Sequence, residues 1–123
     1  MRDIWEGVAE ALDRRPHLLR LGRLVQDTLL VRVEDGEWFL HFRDGRIKRI
    51  TDGPSRRTPW TFGLVTDRAA LDAFWRPQPE PGFHDIFGLA KLGRARIEGD
   101  ILAMVRNLRF HKDVLALPRE TLS

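Results

Sequence analysis

The side chains best suited to acid–base, nucleophilic or metal chemistry in this chain are four histidines, two serines and a short run of carboxylates. Their spacing does little for any of the three. His17, His41, His84 and His111 stand far apart, and none has a second histidine at i+4 with a carboxylate close by, the arrangement that sets metal ligands on one helix face. A site shared by His84 and His111 would need the fold to bring them together. Asp85, beside His84, reads as a first-turn acid favoured by the helix dipole. Ser55 follows a proline and Ser123 is the last residue, so neither sits on the strand-to-helix elbow that exposes a nucleophilic serine. Glu98 and Asp100 bracket Gly99, which suits a strand end and a helix cap rather than the separated carboxylate pair of a glycosidase. The glycines form no phosphate loop, and there is no cysteine to supply a thiolate, a disulfide or a zinc ligand. The expectation is a chain with no catalytic residues, no metal site and no cofactor, and hence not an enzyme.

Binding is the chemistry that remains. Trp60, Phe62, Phe74, Trp75, Phe83, Ile86, Phe87, Met104 and Leu108 fall, by periodicity, on the faces that strands and helices turn toward one another. Small-molecule sites are typically concave and apolar with few polar groups, and a methionine among aromatics fills irregular space. The same residues would also make an ordinary close-packed core. Ligand cavity and filled core are therefore the two readings to separate.

Charge excludes less. Twenty-one basic residues face eighteen acidic ones, a formal charge of +3 with a pI near 10.1. That is too mild a bias for an obligate nucleic-acid binder. The densest basic group is Arg46, Lys48 and Arg49 with Arg56 and Arg57. It reads as protection of an edge strand and a solvated loop, with at most transient contact with an anionic membrane surface. No stretch approaches the roughly 18 apolar residues of a membrane span, and the acids of MRDIWEGVAEALDRR exclude a signal peptide. With no cysteine, a cytoplasmic protein is expected, and 123 residues suit a single domain over 1–123.

The elements that must position these residues are legible from period and punctuation. Ile4, Trp5, Val8, Ala9 and Leu12 mark an amphipathic helix that Pro16 breaks. The stretch from His17 to Val25 keeps a helical rhythm weakened by Gly22, giving a short helix and then a turn. From Thr28 the period changes to two. TLLVRVE, EWFLHF and RIKRIT are joined at Asp35-Gly36 and Asp44-Gly45, a three-stranded meander. PWTFGLVT supplies a fourth strand with Trp60, Phe62 and Leu64 on one face. Asp67 caps a helix containing Ala70, Leu71, Phe74 and Trp75, and the prolines of RPQPEPG stop it. A short helix over His84 to Lys91, a fifth strand over Gly93 to Glu98 and a last helix from about Ile101 to Leu117 complete the chain, with Asp100 as the last helix's cap.

The order helix, meander, strand, helix, helix, strand, helix resembles the sterol carrier protein type two domain. The residues that carry the match are Asp35-Gly36, Trp38, Asp44-Gly45, Trp60, Phe62, the Asp67 helix and Gly93-Arg94-Ala95-Arg96-Ile97-Glu98-Gly99-Asp100. Family members often show gly-x-x-x-x-gly-asp at that last place, and here one more residue separates the glycines. The RPQPEPGFHDIFGLAKL segment is richer in proline and aromatics than the family pattern, and the sequence ends in TLS rather than the peroxisomal SKL. The resemblance implies an α+β fold, a five-stranded, largely antiparallel twisted sheet with helices mainly on one face and an apolar tunnel between. It also implies non-catalytic binding or transfer of a fatty-acyl, sterol-like or isoprenoid ligand by the nine residues named above. The alternative is a structural or regulatory partner domain with a filled core, associated with another enzyme.

Overall fold

The structure, a computed structural model, describes residues 1–121. Ser123 lies outside the described residues. The chain runs α1 (Arg2–Asp13), α2 (Pro16–Leu21), β1 (Thr28–Val33), β2 (Gly36–Arg43), β3 (Arg46–Asp52), β4 (Phe62–Thr66), α3 (Arg68–Phe74), α4 (Ile86–Lys91), β5 (Ala95–Gly99), α5 (Ile101–Arg106), α6 (Leu108–Leu115) and α7 (Pro118–Thr121). The five strands form one sheet in the order β3-β2-β1-β4-β5. Every pairing is antiparallel except the central one between β1 and β4.

Two tight turns build the meander, but not quite as the dipeptides suggest. Asp44-Gly45 holds the expected turn, with both residues at positive φ (54° and 76°). In the first hairpin Val33 already pairs with Gly36, so the central residues are Glu34 and Asp35, and Glu34 takes the positive φ. Gly36 is needed for a different reason. A Cβ there would run into the Trp38 ring.

Register then fixes the faces. Ile50, Leu40, Leu29 and Phe62 make one row across four strands. Trp38, Val31, Leu64 and Ile97 make a second. Both rows belong to the face covered by helices, where Trp5, Val8, Ala11 and Leu12 of α1 pack with Phe74, Ile86, Leu89, Met104, Phe110 and Val114 in one buried cluster. The opposite face is covered as well. Leu30 and Phe39 are buried there, and the connection from β3 to β4 passes close over Phe39 at Gly53. His41 on that face lies between Thr51 Oγ1 at 2.9 Å and Thr28 Oγ1 at 3.4 Å. Burial, then the charges of Arg49 and Arg43, holds its pKa below the ordinary histidine value.

The expected last helix is two. Asn107 leaves helical geometry (φ −124°, ψ 43°) and separates α5 from α6. Asparagine tolerates such a break because its side chain competes with the helical backbone. The break also resets the phase. A continuous helix with Met104 inward would turn Leu108 inward too. Instead Leu108 is half-buried, and Phe110, His111, Val114 and Leu115 face the core. Beyond it, Pro118 opens a further helical turn, α7.

Candidate functional site: a recess beside α5

Most of the nine candidate residues lie in the packed layer between sheet and helices or at its edge. Phe62, Phe74, Trp75, Ile86 and Met104 are at most 4% exposed and belong to the packed cluster. Phe83 and Phe87 are half-buried and pack against its edge. Backbone locks explain much of this order. Trp75 Nε1 donates to Leu115 O at 2.9 Å. Arg119 Nη2 donates to Phe74 O at 2.6 Å and to His84 O at 3.1 Å, and its guanidinium stacks over the Phe74 ring. Trp60 lies before β4 and is 39% exposed. Among the described surface recesses, Trp60 alone of the nine is a lining residue.

One recess does sit where the helical layer meets an end of the sheet. It has a volume of about 500 Å³ and is lined by Leu24 to Asp27, Thr61, Asp100, Ala103, Arg106 and Asn107. A smaller one of about 220 Å³ shares Gln26, Asp27 and Thr61 with it and extends to Trp60 and Arg43. Local sequence places each wall. Gly22 ends α2, so Leu24 falls in the connection to β1 and is left 78% exposed while Val25 turns inward. Gly99 ends β5 at φ +85°, and Trp60 packs so closely on it that a Cβ would lie 2.6 Å from the ring. Asp100 then starts α5, accepting from Ala103 N at 3.1 Å.

The outer side of α5 is apolar. Ile101, Leu102 and Val105 are 47%, 71% and 46% exposed, while Met104 on the inner side is buried. Leu24 lines the recess, whereas Ile101, Leu102 and Val105 lie on the side of α5 turned away from the Asp100, Ala103, Arg106 and Asn107 wall and form a separate exposed apolar face.

At the recess lies one member of a polar pair that spacing did not reveal. His111, fully buried, meets Asp27 with Nε2 3.2 Å from Oδ2. The ring is enclosed by the edges and faces of Phe42, Phe62 and Phe110, with centroids 4.7 to 5.6 Å away. The partners are 84 residues apart in the chain, so no local motif could have joined them. His84 is not part of this pair. It lies on the exposed loop before α4, where Asp85 is the N-cap itself, accepting from Gly88 N at 2.9 Å, rather than a first-turn acid.

The remaining chemical candidates are structural. Ser55 Oγ accepts from the amides of Arg57 and Thr58 at 3.2 Å, tying its own turn. Among the described residues no group of three or more histidines and carboxylates is placed to hold a metal ion. Of the basic residues, Arg46 bonds Asp13 at 2.8 Å, and Lys48 and Arg49 are exposed on the edge strand β3. No helix of the described residues is long and apolar enough to cross a membrane.

No family model matches the sequence, and neither does any curated protein. Solved structures do match. A crystal structure of sterol carrier protein 2 superposes with a TM-score of 0.72 at 13% identity, covering 94% of this chain and 92% of that one. The UbiJ-SCP2 ubiquinone synthesis protein gives 0.62 at 18% identity, covering 95% and 93%. Sterol carrier protein domain 2 of Helicoverpa armigera gives 0.64 at 12%, covering 93% and 86%. At these identities it is the architecture that is common. The five-stranded mixed sheet with its helical layer, over nearly the whole chain, is the sterol carrier protein fold.

Proposed function

We propose that the protein binds an apolar ligand, an acyl, sterol-like or isoprenoid chain, without chemical change, and that the ligand lies in the recess beside α5. One observation carries this reading. On a sterol carrier fold, a concave surface of about 500 Å³ opens beside α5 with the exposed Leu24 and the Val25 and Ala103 positions in its wall. Burial of a chain there is worth about 0.8 kcal/mol per methylene. Eight methylenes give about 6 kcal/mol before ordering costs, of the order of 10–100 µM in affinity. The polar walls, Gln26, Asp27, Thr61, Arg106 and Asn107, fit a ligand with one polar end. We place this activity in the cytoplasm, with any membrane contact confined to the moment of loading.

The packed interior supports a second reading. Phe62, Phe74, Trp75, Ile86 and Met104 fill the layer between helices and sheet, as they would in a partner domain whose exposed α5 face meets another protein. Titration with a fluorescent acyl-chain analogue separates the two. The ligand reading predicts saturation at one probe per chain and displacement by unlabelled lipid. Folded protein that shows no saturable binding up to the solubility limit leaves the partner-domain reading in its place.

A further inference from the structure

Along α1 and the edge strand β3, arginines are matched by carboxylates: Arg2 with Glu6 and Asp52, Arg14 with Glu10, Arg46 with Asp13. Where α2 leads into β1 and α5 into α6, they are not. Arg20, Arg23, Arg106 and Arg109 are exposed, and among the described residues none has a carboxylate within ion-pair distance. Two carboxylates close to them in the chain are engaged elsewhere. Asp27 is buried against His111, and Asp100 caps α5. The two stretches meet in space. Leu24 and Arg106 line one recess, Arg20, Leu21 and Arg23 line another, and Gly22 between them lies against the Phe110 ring of α6. On this edge stand Leu24 and Leu102, 78% and 71% exposed, the two most exposed large apolar side chains of the described residues. Leu102 and Arg106 are neighbours one turn apart on α5.

We propose that this edge, Leu24 and Leu102 with the four arginines, docks on an anionic phospholipid surface. Its charge calls for an anionic partner, and the spacing of its leucines selects the kind. Leu24 is in the recess wall and Leu102 on the side of α5 turned from it, so the two make no continuous patch. A folded protein partner buries a continuous apolar centre under a polar rim. A bilayer interface takes separate apolar side chains one at a time, while arginines beside them reach the phosphates. The helix α1 takes no part, because its apolar side is turned into the core and Arg2 and Arg14 are already matched. The proposal goes beyond the apolar-ligand reading and stands on different observations. Where both hold, the recess shared by Leu24 and Arg106 opens at the docked edge.

Sedimentation with phosphatidylcholine vesicles, with and without phosphatidylglycerol, tests this. Binding should require phosphatidylglycerol and weaken as salt is raised. Arg20→Gln with Arg23→Gln should weaken it about 25-fold, about fivefold for each arginine. Arg56→Gln with Arg57→Gln removes the same charge from the exposed β3–β4 connection and should leave binding nearly unchanged. Leu102→Trp should add tryptophan emission that brominated lipid quenches on docking. All five positions are exposed, and melting temperatures confirm that each variant is folded. Equal losses in the two double variants would mean attraction by net charge alone and overturn the assignment, as would a Leu102→Trp protein that binds without added quenching. Binding to neither kind of vesicle overturns the proposal and leaves the exposed side of α5 to a protein partner. These assays contain no acyl probe, so their failure leaves the apolar-ligand reading standing, and failure of the probe titration leaves the docking edge standing.

Discussion

Asp67, Asp85 and Asp100 each close the first turn of a helix by accepting the amide three residues on, at 2.8, 2.9 and 3.1 Å. Two of these caps are read from sequence by the same rule, a short acceptor before an apolar helical run. Asp100→Ala frees amides at the start of α5 and should cost about 0.5–2 kcal/mol. Chemical denaturation measures this, and probe affinity should change no more than the stability does. A far larger loss of affinity would make Asp100 a binding group and remove the cap account. Asp85 adds a pH dependence. Burial works to raise its carboxyl, but the Gly88 amide and Lys112, at 3.0 Å, hold it below the ordinary carboxylate range. The folded state therefore binds fewer protons than the unfolded one. Its contribution is complete above the unfolded value of about 3.9 and is lost as pH falls through the lower folded value. Acid titration of the melting temperature should fall more steeply for the parent than for Asp85→Asn in that window. Parallel curves would contradict the assignment.

Helices and strands were legible wherever period and punctuation agreed. Alternation and the Asp-Gly turns placed the meander, and a slip of one residue at Glu34–Asp35 left the strand faces intact because Val33 and Gly36 still pair. What escaped was phase across a break. Asn107 carries no stronger stop signal than many mid-helix asparagines, and only the packing of Phe110 and Val114 reveals that the inward face is reset there. Met104 tests the packing of this layer. At 1% exposure it belongs to the filled cluster. Met104→Trp should overpack it and destabilise by about 1–3 kcal/mol, read as a lowered melting temperature. Unchanged stability would mean unfilled space beneath α5, and the ligand would then belong inside the layer rather than in the recess.

At the scale of the molecule, the order of elements in the sequence was enough to suggest the sterol carrier fold, and the superposition over more than nine-tenths of the chain bears that out. The site was less legible. Aromatic residues chosen by periodicity turned out mainly to hold the core, because periodicity reports which side of an element faces inward and not whether that side is filled. Leu24 and Asp27 lie in a connection without period, and His111 meets Asp27 across 84 residues. Only the folded chain brings them beside α5. The central claim is that this recess binds an apolar chain, and titration of a fluorescent acyl probe into the parent protein and Leu24→Asp tests it most directly. Leu24 is 78% exposed, so the change should leave the melting temperature nearly unaltered. The account predicts one-site saturation in the parent and an affinity about tenfold weaker in Leu24→Asp. Absence of saturable binding, or identical binding by both proteins, would contradict it.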